Sequence, residues 1–181
     1  MPEQTEGSLA PEVVVPRLRG RFGRPYVYAV ETSSTQSMLP AEAPEGALSV
    51  AEHQTEGRGR LGRVWIDEPG TGLALSLVLR PPPPVARWPE LTLVAAEAVA
   101  AAIGAGASIK HPNDVLVGGR KVAGILAEAG QHVVLGIGVN VGTVPFPGAG
   151  AVARDRVELL VEILAQLERG YDAWRAGLTA S

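Results

Sequence analysis

The sequence predicts an α+β fold in which a mixed, mainly antiparallel sheet carries packed helices. Three observations predict it. Short alternating or β-branched runs recur, each closed by glycine, proline or charge. Two longer stretches repeat apolar residues at helical spacing. One pair of runs is joined by only two glycines, so neighbours in sequence become antiparallel neighbours in the sheet.

Residues 1–12 are polar and broken by proline and glycine, which predicts a loose tail ahead of a single domain over residues 13–181. Strands are expected at residues 26–30, 47–51 and 72–79, the last stopped by four consecutive prolines, Pro81 to Pro84. Glu90–Ile103 is rich in alanine and poor in β-branched and polar residues, as suits a helix buried against a sheet, and Gly104 and Gly106 stop it.

Asp114–Val117 and residues 120–128 read as two strands across Gly118-Gly119, because a two-residue hairpin needs positive φ at both centres. Residues 133–140 form the next strand. From Asp155 onward, Val157, Leu160, Val161, Leu164, Leu167, Tyr171 and Trp174 recur at three- and four-residue spacing. This is an amphipathic helix, begun by Asp155 and Glu158 arranged as a capping box.

With 181 residues, 46% of them apolar, one core is the expectation. No apolar run approaches the ~20 residues that cross a bilayer, and the N-terminus lacks a basic-then-apolar leader pattern. A cytoplasmic protein without membrane contact is expected. Cysteine is absent, which excludes disulfides and thiolate catalysis, and the three scattered histidines form no HExxH pair, so no dedicated metal site is expected. A net charge of −3 argues against general nucleic-acid binding.

Positive charge is instead local. Gly57-Arg58-Gly59-Arg60-Leu61-Gly62-Arg63 sets three guanidinium groups on a backbone loosened by three glycines. Like charges repel and glycine is costly to order, so the loop should stay mobile until an anion arrives. Arginine grips phosphate or carboxylate oxygens through paired hydrogen bonds, and glycine lets backbone amides approach them. The string also matches GxGxxG, but residues 63–69 cannot open the long helix that a dinucleotide site needs. A solvated basic loop is the plain alternative.

Lys121 lies within an otherwise apolar strand, where a buried ammonium needs anionic oxygens, although a surface lysine at a hairpin edge would look the same. Asn113 and Asp114 form either an Asx turn or a ribose, adenine or Mg²⁺ contact. Residues 136–141 alternate small with branched side chains, as where a ligand or a second backbone nears the sheet, and Asn140 ends that strand.

In order, these segments resemble the catalytic domain of bacterial biotin–protein ligases, over residues 31–141 and again in the C-terminal helix. The resemblance implies the fold shared by class II aminoacyl-tRNA synthetases and biotin synthetases. Ser33-Ser34-Thr35-Gln36 is similar to the segment that contacts the ureido ring of biotin, which implies biotin roles for Ser34, Thr35 and Gln36, beside the N-cap role such residues take alone. Residues 51–56 with the Gly-Arg loop resemble the strongest signature of the family, so Gln54, Arg58, Gly59 and Arg60 inherit biotin contacts. The Gly-Arg-Lys segment implies that Lys121 touches both the biotin carboxylate and the α-phosphate, with Lys121 and Arg58 as the catalytic residues. Gly57, Arg60, Arg63, Trp65, Asn113 and Asn140 are the implied nucleotide contacts.

The resemblance further implies biotin and ATP as substrates, Mg²⁺ as activator, a biotin carboxyl carrier protein as partner and a homodimer of the kind relatives form. Three departures stand out: Gln36 and His111 replace asparagine and tryptophan of the family pattern, only residues 177–181 follow the last helix where a small barrel is common, and too few residues precede Tyr26 for a DNA-binding domain. No operator binding is expected. A lipoate or octanoyl transferase of the same fold and a non-catalytic biotin-binding module are the rival readings.

Overall fold

The computed structural model describes residues 8–179. Its strands are β1 (Tyr26–Thr32), β2 (Leu48–Gln54), β3 (Leu73–Leu79), β4 (Ala107–Lys110), β5 (Asp114–Val117), β6 (Arg120–Ala129) and β7 (Val133–Val139). They form one sheet in the order β1-β2-β3-β7-β6-β5-β4. Only β1 and β2 pair in parallel, so the sheet is mixed and mainly antiparallel as expected. The predicted hairpin joins β5 to β6, with Gly118 at φ 58° and Gly119 at φ 76°.

Strand periodicity sorts the side chains into two unlike faces. On one face Leu48, Leu73, Leu75, Leu77, Leu79, Ile125, Leu135 and Ile137 are nearly or fully excluded from solvent. At roughly 2 kcal/mol for each fully buried aliphatic side chain, this face carries most of the burial energy of the sheet. The opposite face presents Ser49, Ala51, Ala74, Ser76, Gly124, Gly136 and Gly138, whose register partners are one another. It is a shallow floor of small residues.

Two helices cover the aliphatic face. Helix α2 (Glu90–Ile103) buries Leu91, Ala95, Ala96, Val99 and Ala102, and Gly104 closes it at φ 94°. The Arg154 guanidinium donates to the carbonyls of Ala102 (2.9 Å) and Ile103 (3.2 Å), satisfying that helix end. Helix α3 (Arg156–Thr179) begins where the Glu158 amide donates to Asp155 Oδ1 at 2.8 Å, and every apolar residue of the predicted stripe is buried.

The expected loose tail is corrected in its second half, whereas residues 1–7 lie outside the described residues. Leu9 is wholly buried and a short helix, α1, spans Pro11–Val14. Leu9 is held at both ends: its amide donates to Glu52 Oε1 (2.8 Å) and its carbonyl accepts from Tyr26 Oη (2.6 Å). Tertiary anchoring thus orders a stretch without periodicity of its own. Strand β4 was likewise unmarked, since four residues of alternation say little. Strands β1 and β2 run past their expected ends because Glu31 pairs with His53 and Thr32 with Gln54.

Tyr171 is fully buried in α3 and donates to Glu45 Oε2 at 2.7 Å. Burial, then the hydrogen bond and the charge of Glu45, push its phenol above the ordinary tyrosine range. The folded state therefore resists ionisation while the unfolded chain ionises near pH 10. Stability is unaffected below that pH and falls as pH rises beyond it. Tyr171→Phe should lower stability by about 1 kcal/mol at pH 7 through the lost hydrogen bond, and thermal melts from pH 9 to 11.5 should show a shallower decline than in the parent.

Candidate active site

The glycines of the small-residue face are occupied from above. A Cβ built on Gly138 would lie 2.3 Å from Trp65 Cε2, one on Gly136 would lie 3.2 Å from Gln36 Cδ, and one on Gly124 would lie 3.2 Å from Trp65 Cζ3 and 3.3 Å from Lys121 Nζ. The close approach expected along residues 136–141 is therefore made by side chains, the Trp65 indole and the Gln36 amide.

Above this floor lie two adjoining cavities. The inner one encloses about 460 Å³ of empty space, solvent at its mouth included, and is lined by Ser34, Thr35, Gln36, Gln54, Arg58, Gly59, Arg60 and Lys121 among others. The outer cleft, about 1200 Å³ on the same measure, is lined by Arg60, Arg63, Trp65, Asn113, Lys121 and Asn140 among others. Gly59, Arg60, Trp65, Asn113 and Lys121 belong to both, so they form the wall where the cavities meet.

The blind end of the inner cavity is a buried polar network. Gln54 Oε1 accepts from the Thr35 amide (2.9 Å) and hydroxyl (3.1 Å), that hydroxyl also bonds Ser76 Oγ (2.8 Å), and Ser49 Oγ donates to the Thr35 carbonyl (2.7 Å). Ser34 caps the short turn Thr35–Ser37, its Oγ accepting from the Gln36 amide at 3.4 Å, so the capping and lining roles coexist. Ser49 and Ser76 escaped sequence reasoning, although a serine inside an apolar strand needs a partner and signals such a network. On the lining of this cavity, Gln36 Oε1, Gln36 Nε2 and Trp65 Nε1 are buried without one among the described residues.

The cationic wall is braced as a chain. Arg60 Nη1 donates to Asn113 Oδ1 (3.0 Å), Asn113 Nδ2 donates to Asp114 Oδ1 (3.1 Å), and Lys121 Nζ pairs with the same carboxylate oxygen at 2.8 Å. Lys121 also stands 5.8 Å from the Trp65 ring centroid. The Lys-His-Pro-Asn-Asp segment thereby couples the glycine–arginine loop to strand β6. With Arg63, Lys110 and His111 on the same cleft, Asp114 is its one carboxylate among the described residues, so the field favours an anion of high charge density.

The glycine–arginine segment itself forms a small hairpin. Gly59 donates to the Arg63 carbonyl and the Trp65 amide to the Gly57 carbonyl, each at 2.8 Å, with Leu61 (φ 57°) and Gly62 (φ 73°) turning it. Arg58 reaches Glu128 at 3.5 Å, with both side chains exposed. Gly57 lines neither cavity. A Cβ there would stand 2.4 Å from the Trp65 carbonyl oxygen, so its part is to let the two legs cross. Asn140 borders the outer cleft, but its Nδ2 is engaged by the Gly150 carbonyl at 2.9 Å.

Among the described residues no cluster of three histidine or acidic side chains could hold a metal ion. Asp114 with phosphate oxygens and water would suffice for Mg²⁺, which is held in this sparse way when it accompanies a nucleotide.

The sequence profile of the Biotin/lipoate A/B protein ligase family matches residues 28–140. The bifunctional ligase/repressor BirA of Bacillus subtilis is 39% identical over 177 residues, covering 83% of this chain and 54% of the relative. The biotin–[acetyl-CoA-carboxylase] ligase of Mycobacterium tuberculosis is 39% identical over 168 residues, covering 80% of this chain and 63% of the relative. The chain thus spans about half to two-thirds of the length of these curated relatives. Among solved structures, the biotin protein ligase of Aquifex aeolicus in complex with biotin and ATP superposes with a TM-score of 0.70 at 31% identity, covering 83% of this chain and 71% of that one.

Proposed function

The chain belongs to the biotin/lipoate A/B protein ligase family, and from that premise we propose that it activates biotin with ATP and transfers it to a lysine of a biotin carboxyl carrier protein. The observation that carries this reading is the common wall: Arg60 and Lys121 line both cavities, so a carboxylate in the inner one and a phosphate in the outer one would meet at the same cations.

In the first step a carboxylate oxygen of biotin bonds to the α-phosphorus of ATP and pyrophosphate leaves, giving biotinyl-5'-AMP. In the second, the carrier amine attacks the carbonyl carbon, AMP leaves with the bonding electrons, and the amine loses a proton. Both nucleophiles come from substrates. The protein's part is positioning and charge stabilisation. Lys121 and Arg60 hold the oxygens that gain charge, Trp65 supports the adenine, and Arg58 closes the loop over the intermediate. Ser34, Thr35, Gln36 and Gln54 seat the bicyclic ring, while Arg63, Asn113 and Asn140 serve the nucleotide. Mg²⁺, arriving with ATP beside Asp114, would neutralise phosphate charge.

The unpartnered Gln36 amide favours biotin over a lipoyl or octanoyl substrate. A ureido group offers an N–H and a C=O that pair with both ends of that amide, whereas a dithiolane or alkyl chain would leave them buried and unpaired. We read the described residues 8–179, Leu9 and α1 included, as one catalytic domain of a cytoplasmic enzyme, with a homodimer as its assembly. No helix among the described residues is long and apolar enough to cross a membrane.

The test is ATP-dependent transfer of labelled biotin to a carrier domain. Binding of biotin without transfer would leave a non-catalytic module, and preferential transfer of octanoate would move the chain to the transferase branch. Arg58→Gly should still form biotinyl-AMP but release it about tenfold sooner, the scale of one charged hydrogen bond. Unchanged retention of labelled adenylate through gel filtration would count against Arg58 as the closing residue.

A further inference from the structure

Asp67 lines neither cavity, yet it is more tied down than any arginine of the loop it follows. Its carboxylate accepts from His53 Nδ1, and both of its oxygens lie 3.3 Å from the Gln54 backbone amide. The Asp67 side chain is 9% exposed and that of His53 23%. By contrast, the side-chain ties of the hairpin tip, Arg58 to Glu128 and Arg60 to Asn113, join exposed groups that water screens.

We propose that Asp67 and His53 are a positioning pair that pins the far leg of the glycine–arginine hairpin to the end of β2. The pin acts in two directions. Upstream it fixes the backbone of Gln54, whose side-chain oxygen gathers the amide and hydroxyl of Thr35 at the blind end of the inner cavity. Downstream it fixes the chain two residues beyond Trp65, whose indole lies on Gly124 and Gly138. One contact therefore sets the spacing between the inner cavity and the common wall, while the tip between Gly57 and Trp65 remains free to move over an intermediate.

The chemistry of the pair is specific. A carboxylate offers only acceptors, so Nδ1 of His53 carries the proton between them. Asparagine at position 67 keeps an acceptor for the Gln54 amide. Asparagine at position 53 sets an amide N–H where Nδ1 stood. Alanine at position 53 removes the contact between the two side chains, and alanine at position 67 removes the Gln54 tie as well.

The experiment uses the full chain and two readouts. One is tryptic cleavage after Arg58, Arg60 and Arg63 under native conditions without ligand. The other, which rests on the proposed function, is retention of biotinyl-AMP, measured beside its formation rate at saturating substrates and the melting temperature. Asp67→Ala should speed loop cleavage and shorten adenylate retention about tenfold each, the scale of one charged hydrogen bond, with the saturated formation rate within about threefold. Asp67→Asn and His53→Asn should restore most of both, and Asp67→Ala/His53→Ala should be no worse than Asp67→Ala alone, as for one shared contact.

Parental behaviour of Asp67→Ala in the cleavage assay would overturn the pin, as would effects of the two alanines that multiply in the double variant. A parent chain that forms no biotinyl-AMP would instead defeat the proposed function, and cleavage alone would then decide the pin. Should Asp67→Ala fail to fold, His53→Ala against His53→Asn carries the same comparison.

Discussion

Lys121→Ala is expected to slow biotinyl-AMP formation by about 10²–10³-fold at saturating biotin and ATP, the usual effect of removing one preorganised charge from a transferring group. The loss has two sources. The ammonium that lines both cavities is gone, and Asp114, its partner at 2.8 Å, is left facing the reacting oxygens with uncompensated negative charge. Lys121→Ala/Asp114→Asn should not recover the rate, since it relieves that charge only by removing the carboxylate that would hold Mg²⁺. Lys121→Arg should not rescue, because the longer planar head has to fit where Nζ already stands 3.3 Å from the Cβ position of Gly124 and beneath Trp65. Biotin-dependent pyrophosphate release measures all three, and a Lys121→Ala rate within threefold of the parent would defeat the assignment.

Gly138→Ala should be nearly as damaging although it adds one methyl group and touches no charge. Its Cβ would sit 2.3 Å from the Trp65 ring. The strand cannot yield, because Gly138 is paired with Ala74 of β3 on one side and Gly124 of β6 on the other. The indole must leave the floor, and the leg between Gly57 and Asp67 shifts with it. Displacements of this kind cost roughly 100-fold when they misplace a reacting group. We expect kcat/KM for ATP to fall by about that factor while the melting temperature moves by only a few degrees. A variant with parental kinetics would mean that Trp65 has no part in seating the nucleotide.

Much of this arrangement was legible in the sequence, and its unread parts share a cause. Element identities followed from local pattern: the Gly118-Gly119 hairpin, Glu90–Ile103 and the apolar stripe of α3 all stand where periodicity put them. Partners did not follow, because alternation in β3 says nothing about which strand some sixty residues later will pair with it. The residues singled out from Ser34 to Lys121 converge on one pair of cavities, with Gly57 the exception because its role is steric. What stayed hidden were the supports. Ser49 and Ser76 are reached only once β2 and β3 align, and Asp67 only once the hairpin folds back on His53. A side chain that works by holding another leaves no spacing rule of its own.

The sheet divides its labour between its faces, with aliphatic bulk under α2 and α3 and small residues under the two cavities. Robustness and chemistry are consequently encoded at alternate positions of the same strands, and they can be altered separately. A designer seeking heat tolerance has the helical side to repack, where volume is the only constraint. On the other side even a single methyl group trespasses on space that a substrate or its tryptophan neighbour already claims. Inherited drift should leave the same signature, with free exchange among leucine, isoleucine and valine on one side and near-fixed glycine and serine on the other.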